Sequence, residues 1–191
     1  VPSGFLAPCS SNLTTPAVKK SSDHFNTILY TGNDTDDRTL TGVGFQPDLV
    51  WIKTRNATNA HMVFDSVRGI SRDLHTNNND VETVASDPNN SLVAFTSDGF
   101  TVDDSSGYTD LNSSSHTYVA WNWKAGGSGS ANTDGSINTT ATSVNTTAGF
   151  SISNYQGTGS NATVGHGLGV APSLIIIKNR DTNDNWRVYS R

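Results

Sequence analysis

The sequence predicts an all-β protein: an antiparallel β-sandwich of jelly-roll or concanavalin-like type, followed by a second, incomplete β repeat. Three observations carry this expectation. Apolar residues come in short alternating runs separated by Gly, Asn, Asp and Pro, and no stretch holds a sustained helical spacing. The composition is 34% apolar and only 15% charged. The balance is Ser, Thr, Asn and Gly, which suits exposed pleated faces and tight turns. Third, the chain repeats itself. Gly44-Phe-Gln-Pro-Asp-Leu-Val-Trp-Ile-Lys53 returns as Gly169-Val-Ala-Pro-Ser-Leu-Ile-Ile-Ile-Lys178. The same offset of 125 residues joins Phe25 to Phe150, Tyr30 to Tyr155, Gly32 to Gly157, Arg55 to Arg180 and Phe64 to Tyr189.

Residues 1–23 are polar, aperiodic and punctuated by Pro, and read as a linker or extended arm. The first domain, 24–124, opens with alternation over Phe25–Thr31, which places Phe25, Thr27 and Leu29 on one side and Ile28 and Tyr30 on the other. A short strand is expected around Arg38–Val43. Asp48–Thr54 follows with apolar residues on both faces, as in a strand covered on each side. Ala60–Phe64 runs back. Residues 65–75 carry a central Gly and read as a loop with at most one helical turn, and 76–90 as a polar surface loop of the kind that bears recognition. Asp98-Gly99 between alternating segments predicts a hairpin within Leu92–Val102. His116–Lys124 is the clearest strand. There Tyr118, Ala120 and Asn122 oppose Val119, Trp121 and Trp123, and the bulk of the tryptophans argues that their face is the core. Residues 125–146 read as a Gly/Ser/Thr-rich flexible linker, and 147–191 as the start of the second copy, too small to bury a core of its own.

The net charge of −5 argues against nucleic acid as a partner, since phosphate binding requires clustered Lys and Arg. No run approaches the ~20 apolar residues of a membrane-spanning helix, so no membrane insertion is expected. Cys9 is the only cysteine, which leaves no intrachain disulfide and no thiolate metal site.

Several motifs resemble a known family. Gly44-Phe-Gln-Pro-Asp-Leu-Val-Trp-Ile-Lys53, Phe64-Asp-Ser-Val-Arg-Gly69, Tyr118-Val-Ala-Trp-Asn-Trp-Lys-Ala-Gly-Gly127 and Gly165-His-Gly-Leu-Gly-Val-Ala-Pro172 resemble repeated domains in large structural proteins of tailed bacteriophages, marine ones in particular. The resemblance covers nearly the whole chain. It implies a virion-surface or extracellular location, a structural and adhesive role in a tail-fibre-like assembly, and other copies or other virion proteins as partners. It transfers no catalytic residues, and the protein is expected not to be an enzyme.

Candidate chemistry is sparse. The acidic turns Asp34-Thr-Asp-Asp37, Asp103-Asp104 and Asp181-Thr-Asn-Asp184 hold oxygen donors of the sort Ca²⁺ takes, but none has the spacing of a known Ca²⁺ loop, and turns favour Asp and Asn anyway. No cofactor is therefore expected, with Ca²⁺ the one ion the turns could hold. His24, His61, His75, His116 and His166 show no metal-ligand spacing, and no Gly-x-Ser-x-Gly elbow is present. Glu82, the sole Glu, lies in the polar loop; with the Asp residues it leaves a glycan depolymerase as the weakest of three readings. A carbohydrate-binding module is the second reading. It rests on Tyr108, a loop aromatic able to stack on a pyranose, with Asp110 and Asn112 to bond its hydroxyls, so that a host surface glycan is the expected ligand.

Overall fold

A computed structural model describes residues 15–85, 91–103 and 110–191. Its strands are β1 (Phe25–Thr31), β2 (Arg38–Leu40), β3 (Leu49–Thr54), β4 (His61–Asp65), β5 (Gly69–His75), β6 (Thr83–Val84), β7 (Leu92–Thr96), β8 (Gly99–Val102), β9 (Thr117–Trp123), β10 (Thr139–Asn145), β11 (Phe150–Tyr155), β12 (Leu174–Ile177) and β13 (Arg187–Ser190). The protein is all-β and sandwich-like, as expected. One sheet has the order β1-β9-β3-β4-β5-β6 and a second the order β2-β8-β7, while β10-β11 and β12-β13 form two further antiparallel pairs.

The core lies between the first two sheets. Ile28 and Tyr30, Val50 and Ile52, Met62 and Phe64, and Tyr118 and Ala120 face inward from the large sheet. Leu40, Leu92, Phe95, Phe100 and Val102 meet them from the small one. Alternation along β3 and β9 follows directly from period-2 geometry, with every second residue buried. The face of β9 is the reverse of the one its bulk suggests. Tyr118, Ala120 and Asn122 point into the sandwich, and Trp121 and Trp123 stand half-buried on the outer face. β9 is the central strand, hydrogen-bonded to β1 on one side and β3 on the other. Its inward positions must fit the space left by Ile28, Ile52 and the small sheet, so Ala120 is accommodated there and an indole is not. The outer tryptophans find each other instead: Trp51 packs edge-on against Trp121 at 5.6 Å, and Phe25 lies 4.8 Å from Trp123.

Two stretches depart from expectation. Residues 69–75 form strand β5, not a loop: the carboxylate of Asp65 accepts hydrogen bonds from the backbone N–H groups of Val67 and Arg68 and turns the chain back onto β4. Residues 139–145 form strand β10 within the segment read as a flexible linker. That segment is tied down as well, since Gly126 N–H donates to Ser143 Oγ at 2.8 Å and Ser130 and Thr142 exchange backbone bonds. The expected hairpin at Asp98-Gly99 is present between β7 and β8, and the Asp98 carboxylate accepts from Gly42 and Gly44 N–H, which anchors the turn to the neighbouring loop.

The internal repeat is a repeat of structure. β11, β12 and β13 stand at the positions of β1, β3 and β4. Lys53 Nζ donates to the carbonyls of Thr54 and Ala57; Lys178 Nζ makes the same clasp on Asn179 and Thr182. Gly42 and Gly44 share positive φ with their counterparts Gly167 and Gly169.

The assignment of faces gives a direct test. Phe64→Ala should lower stability by about 3–5 kcal/mol, because it opens a cavity in a close-packed core. Leu29→Ala, on the exposed face of β1, should change it by less than about 0.5 kcal/mol. Urea unfolding midpoints of the two variants check both values.

Candidate functional site

Of the residues expected to contact a glycan, Asp110 and Asn112 lie in the segment that leads into β9. Tyr108 lies outside the described residues. Asp110 is half-buried, and its carboxylate is held from several sides: Tyr118 Oη donates to Oδ1 at 2.5 Å, Asn59 Nδ2 to Oδ2 at 2.9 Å and Ser113 N–H to Oδ1 at 3.3 Å. The Nδ1 of His116 sits against Asp110 Oδ2, and the His116 ring meets Tyr118 edge-on. No spacing in the sequence joins His116 to Asp110. A turn at Ser113–His116, closed by the hydrogen bond from His116 N–H to Ser113 O, brings them together. Among the described residues no serine or threonine hydroxyl is shown hydrogen-bonded to the His116 side chain, and Asp110 is the carboxylate that orients its imidazole.

Asn112 is not a ligand contact. It has no exposed surface, and both ends of its amide are engaged. Nδ2 donates to Asn33 Oδ1 and to Thr35 O, while Oδ1 accepts from Arg38 Nη1 at 2.8 Å. Its carbonyl takes the N–H groups of Asn33 and Asp34. Asn112 therefore shapes the 32–37 turn. A buried amide must be satisfied in this way, and an exposed loop position would not have needed it. Gly32 belongs to the same joint: a Cβ there would lie 1.9 Å from Ser113 O.

Among the described residues, two carboxylates of the acidic turns are engaged by neighbouring groups. Asp34 is occupied by the N–H and hydroxyl of Ser114, and Asp103 accepts from Asp37 N–H. Among the described residues, no three His, Cys, Asp or Glu side chains come together as a metal-binding group.

The strongest electrostatic arrangement is elsewhere, and the sequence reading placed its central residue in a recognition loop. Glu82 is buried beneath three arginines. Arg68 Nη1 reaches Oε1 at 3.1 Å, and Arg72 Nη1 reaches Oε2 at 3.2 Å. From the second copy, Arg180 donates with Nε to Oε1 at 2.9 Å and with Nη2 to Oε2 at 2.6 Å, a bidentate fork. Arg180 also donates to Asn154 on β11, and Arg68 to Asp65 and the carbonyl of Val63, so the cluster runs from the large sheet into the second copy. Glu82 N–H donates to Arg180 O, Val81 N–H to Asn183 Oδ1, and Trp186 Nε1 to the carbonyl of His75 at 2.8 Å. Phe150 stacks over Trp123 at 6.3 Å. These contacts make a joint between the two copies. That Glu82 was the chain's sole Glu, with Arg68 and Arg72 on the strand region before it, was the available signal.

Burial pushes the Glu82 carboxyl upward, but the hydrogen bonds of Arg180 and the charge and hydrogen bond of Arg68 outweigh it and hold the group below its ordinary 4.5. Close by, His75 is raised above 6.5 chiefly by its hydrogen bond with Asp73, against the opposing effect of burial, with Asp80 adding to the rise. Its Nε2 lies 2.9 Å from the buried Asp73.

Together these features define a repeat module: an all-β unit whose second copy is locked to the first by buried ion pairs. The chain belongs to the family described as a domain of unknown function, DUF7483, whose match spans residues 20–191, both copies and the segment between them. No curated protein and no solved structure matches it.

The two titrations give opposite pH limits. The depressed Glu82 contributes stability above about pH 4.5, lost as pH falls through its folded value; the raised His75 contributes below about pH 6.5, lost as pH rises through its folded value. Stability from urea midpoints should therefore fall on both sides of a mildly acidic maximum, and His75→Gln should remove the decline on the alkaline side. Glu82→Ala strands buried arginine charge and should cost about 3–5 kcal/mol. Protease sensitivity between residues 178 and 187 should rise with it.

Proposed function

We propose that the protein is a non-enzymatic structural module of a virion-surface or tail-fibre-like assembly, in which β units lock head to tail and present their free ends for host attachment. The observation that carries this reading is the Glu82 joint. It uses different surfaces of the two copies: a carboxylate socket on the first and an arginine plug on the second. Contacts of this kind are heterologous, so they extend into linear arrays rather than closing on themselves. Arg55, at the position equivalent to Arg180, is exposed, so the first copy carries its own plug for a preceding unit. The virion setting is supported by the resemblance of the motifs at 44–53, 118–127 and 165–172 to tailed-phage structural domains. Other copies of the module and other virion proteins are the partners this reading calls for. Antibodies against residues 20–191 should decorate the surface of purified virus particles; signal found only in particle-free fractions would overturn the assignment.

A second reading, a carbohydrate-binding role, is favoured by one observation: the half-exposed Asp110 and His116 are held rigidly at a loop-bearing end. Rigid polar groups of that kind orient sugar hydroxyls at little entropic cost. On a glycan array, binding that disappears with Asp110→Ala would support this role, and binding that persists would place any glycan contact elsewhere.

A further inference from the structure

The turn that receives the second copy is fastened to β5 by one histidine. Residues 78–82 meet the second copy with their backbone: Asn79 O accepts from Lys178 Nζ at 3.4 Å, Val81 N–H donates to Asn183 Oδ1, and Glu82 N–H donates to Arg180 O. His75, the last residue of β5, faces this turn with Nδ1 and its own strand with Nε2. Nε2 lies 2.9 Å from Asp73, whose side chain is 1% exposed. Nδ1 lies 3.3 Å from Asn78 Nδ2 and 3.6 Å from Oδ2 of the half-exposed Asp80. The backbone carbonyl of the same histidine takes the indole N–H of Trp186 from the second copy.

The two ring nitrogens do not satisfy Asp73, Asn78 and Asp80 in a single protonation state. A buried carboxylate without a donor is costly, so the neutral ring holds its one proton on Nε2, against Asp73. Nδ1 is then a lone pair that accepts from Asn78 Nδ2 and has nothing to offer Asp80. A second proton makes Nδ1 a donor. It then meets the Asn78 amide donor to donor, and Asp80 is the acceptor within reach. Asn78 and Asp80 are themselves joined, Asn78 Nδ2 donating to Asp80 Oδ2 at 2.6 Å and Asp80 N–H to Asn78 Oδ1 at 3.1 Å, so a change of partner at the ring is felt through the turn. The other charged groups nearby keep their state as His75 changes. His61 on β4, whose carbonyl accepts from Thr76 N–H, is held below its ordinary 6.5 by burial and by Lys53 and is neutral there. Glu82 is ionised, and Arg68, Arg72 and Arg180 are cations throughout. The second copy brings Lys178, whose charge Asp184 and Asp80 favour against burial. β6 and β7 bring no titratable side chain.

We infer that His75 is a pH-operated latch on the joint between the copies: the charged ring ties Asp80, and with it the turn that carries Glu82, to β5, and the neutral ring releases that turn. The ring keeps its hold on Asp73 in both states, so the sheet of the first copy is not what changes. What changes is how firmly residues 178–187 are held. The rise that Asp73 and Asp80 give the ring follows from the same geometry. A proton held more tightly in the docked form stabilises that form at pH values below the titration and stops doing so above it, so the joint is firm in mild acid and loosens as pH rises through the folded value of His75. The inference concerns the joint itself and stands whether or not the virion setting holds.

Limited trypsin digestion of the full chain reads the latch, because Lys178, Arg180 and Arg187 all lie in the held segment. The Asp80→Asn chain lacks the latch acceptor at every pH but keeps Glu82 and its arginines, so the ratio of wild-type to Asp80→Asn cleavage cancels the pH dependence of the protease. Wild-type cleavage within 178–187 should be about tenfold slower than that of Asp80→Asn near pH 5.5 and roughly equal to it near pH 8, and His75→Gln should match Asp80→Asn at both. Cleavage after Arg55, in the first copy, is the control for global unfolding and should be the same in all three chains. A wild-type to Asp80→Asn ratio that does not change with pH overturns the inference. So does a difference of equal size after Arg55, which would make His75 a determinant of overall stability and not of the joint.

Discussion

The placement of β9 between β1 and β3 is the constraint on which the first copy depends. It joins strands that are remote in sequence, pairing Phe25–Thr31 on one side and Leu49–Thr54 on the other with Thr117–Trp123. Only when it is in place can Tyr118 and Ala120 close the core against the small sheet and Tyr118 hold Asp110. Contacts of such sequence separation carry a large loop-closure cost before they contribute anything, so the turns that shorten the search matter. The Asn112 joint is one of them: it fixes the 32–37 turn after β1 to the segment that leads into β9.

The second copy repeats β1, β3 and β4 as β11, β12 and β13. Its hairpin is folded down to the lysine clasp and the glycine turns, yet its inward face is open. What holds it in place is polar. The Glu82 cluster, the Trp186 bond to His75 O and the stacking of Phe150 on Trp123 fasten it to the large sheet of the first copy. Buried ion pairs of this kind add little net stability over an apolar contact of the same shape, but they penalise any misplacement, because an arginine or carboxylate left unpaired in the interior is costly. A joint built this way sets orientation between repeats.

Much of this was legible in the sequence, and the parts that were not share a physical cause. Strands whose alternation reflects one buried face, such as Phe25–Thr31 and His116–Lys124, could be found, as could the Asp98-Gly99 hairpin. The direction of β9 could not, because bulk favoured the tryptophans and only the sheet order shows that small inward residues are needed. β5 was hidden because Gly69 and Ser71 adopt positive φ and its pairing with β4 shifts register, which breaks the period-2 pattern. β10 was hidden because it is made of Thr, Ser and Asn whose hydroxyls satisfy one another, as in Thr139 with Thr142 and Thr142 with Ser153. At the site, Asp110 was named as a sugar contact, and its bonds to Tyr118 and Asn59 had no local signal. Asn112 looked like a surface amide because a buried, fully bonded Asn and an exposed one are the same letter. Glu82 was singular in the sequence, but its three arginine partners come from two strand regions and a second repeat, and no local pattern joins them.

Hydrogen exchange in the intact chain tests the central claim most directly, because the repeat supplies its own control. The backbone amides of β3 and β12 sit in equivalent hairpins of the same register, and within residues 15–191 β3 alone has a β9 strand described alongside it. Amides of β3 that bond to β9 should exchange only through global unfolding, and their equivalents in β12 should exchange orders of magnitude faster through local opening. Equal protection in the two strands would contradict the account, because β9 would then add nothing to the protection of β3.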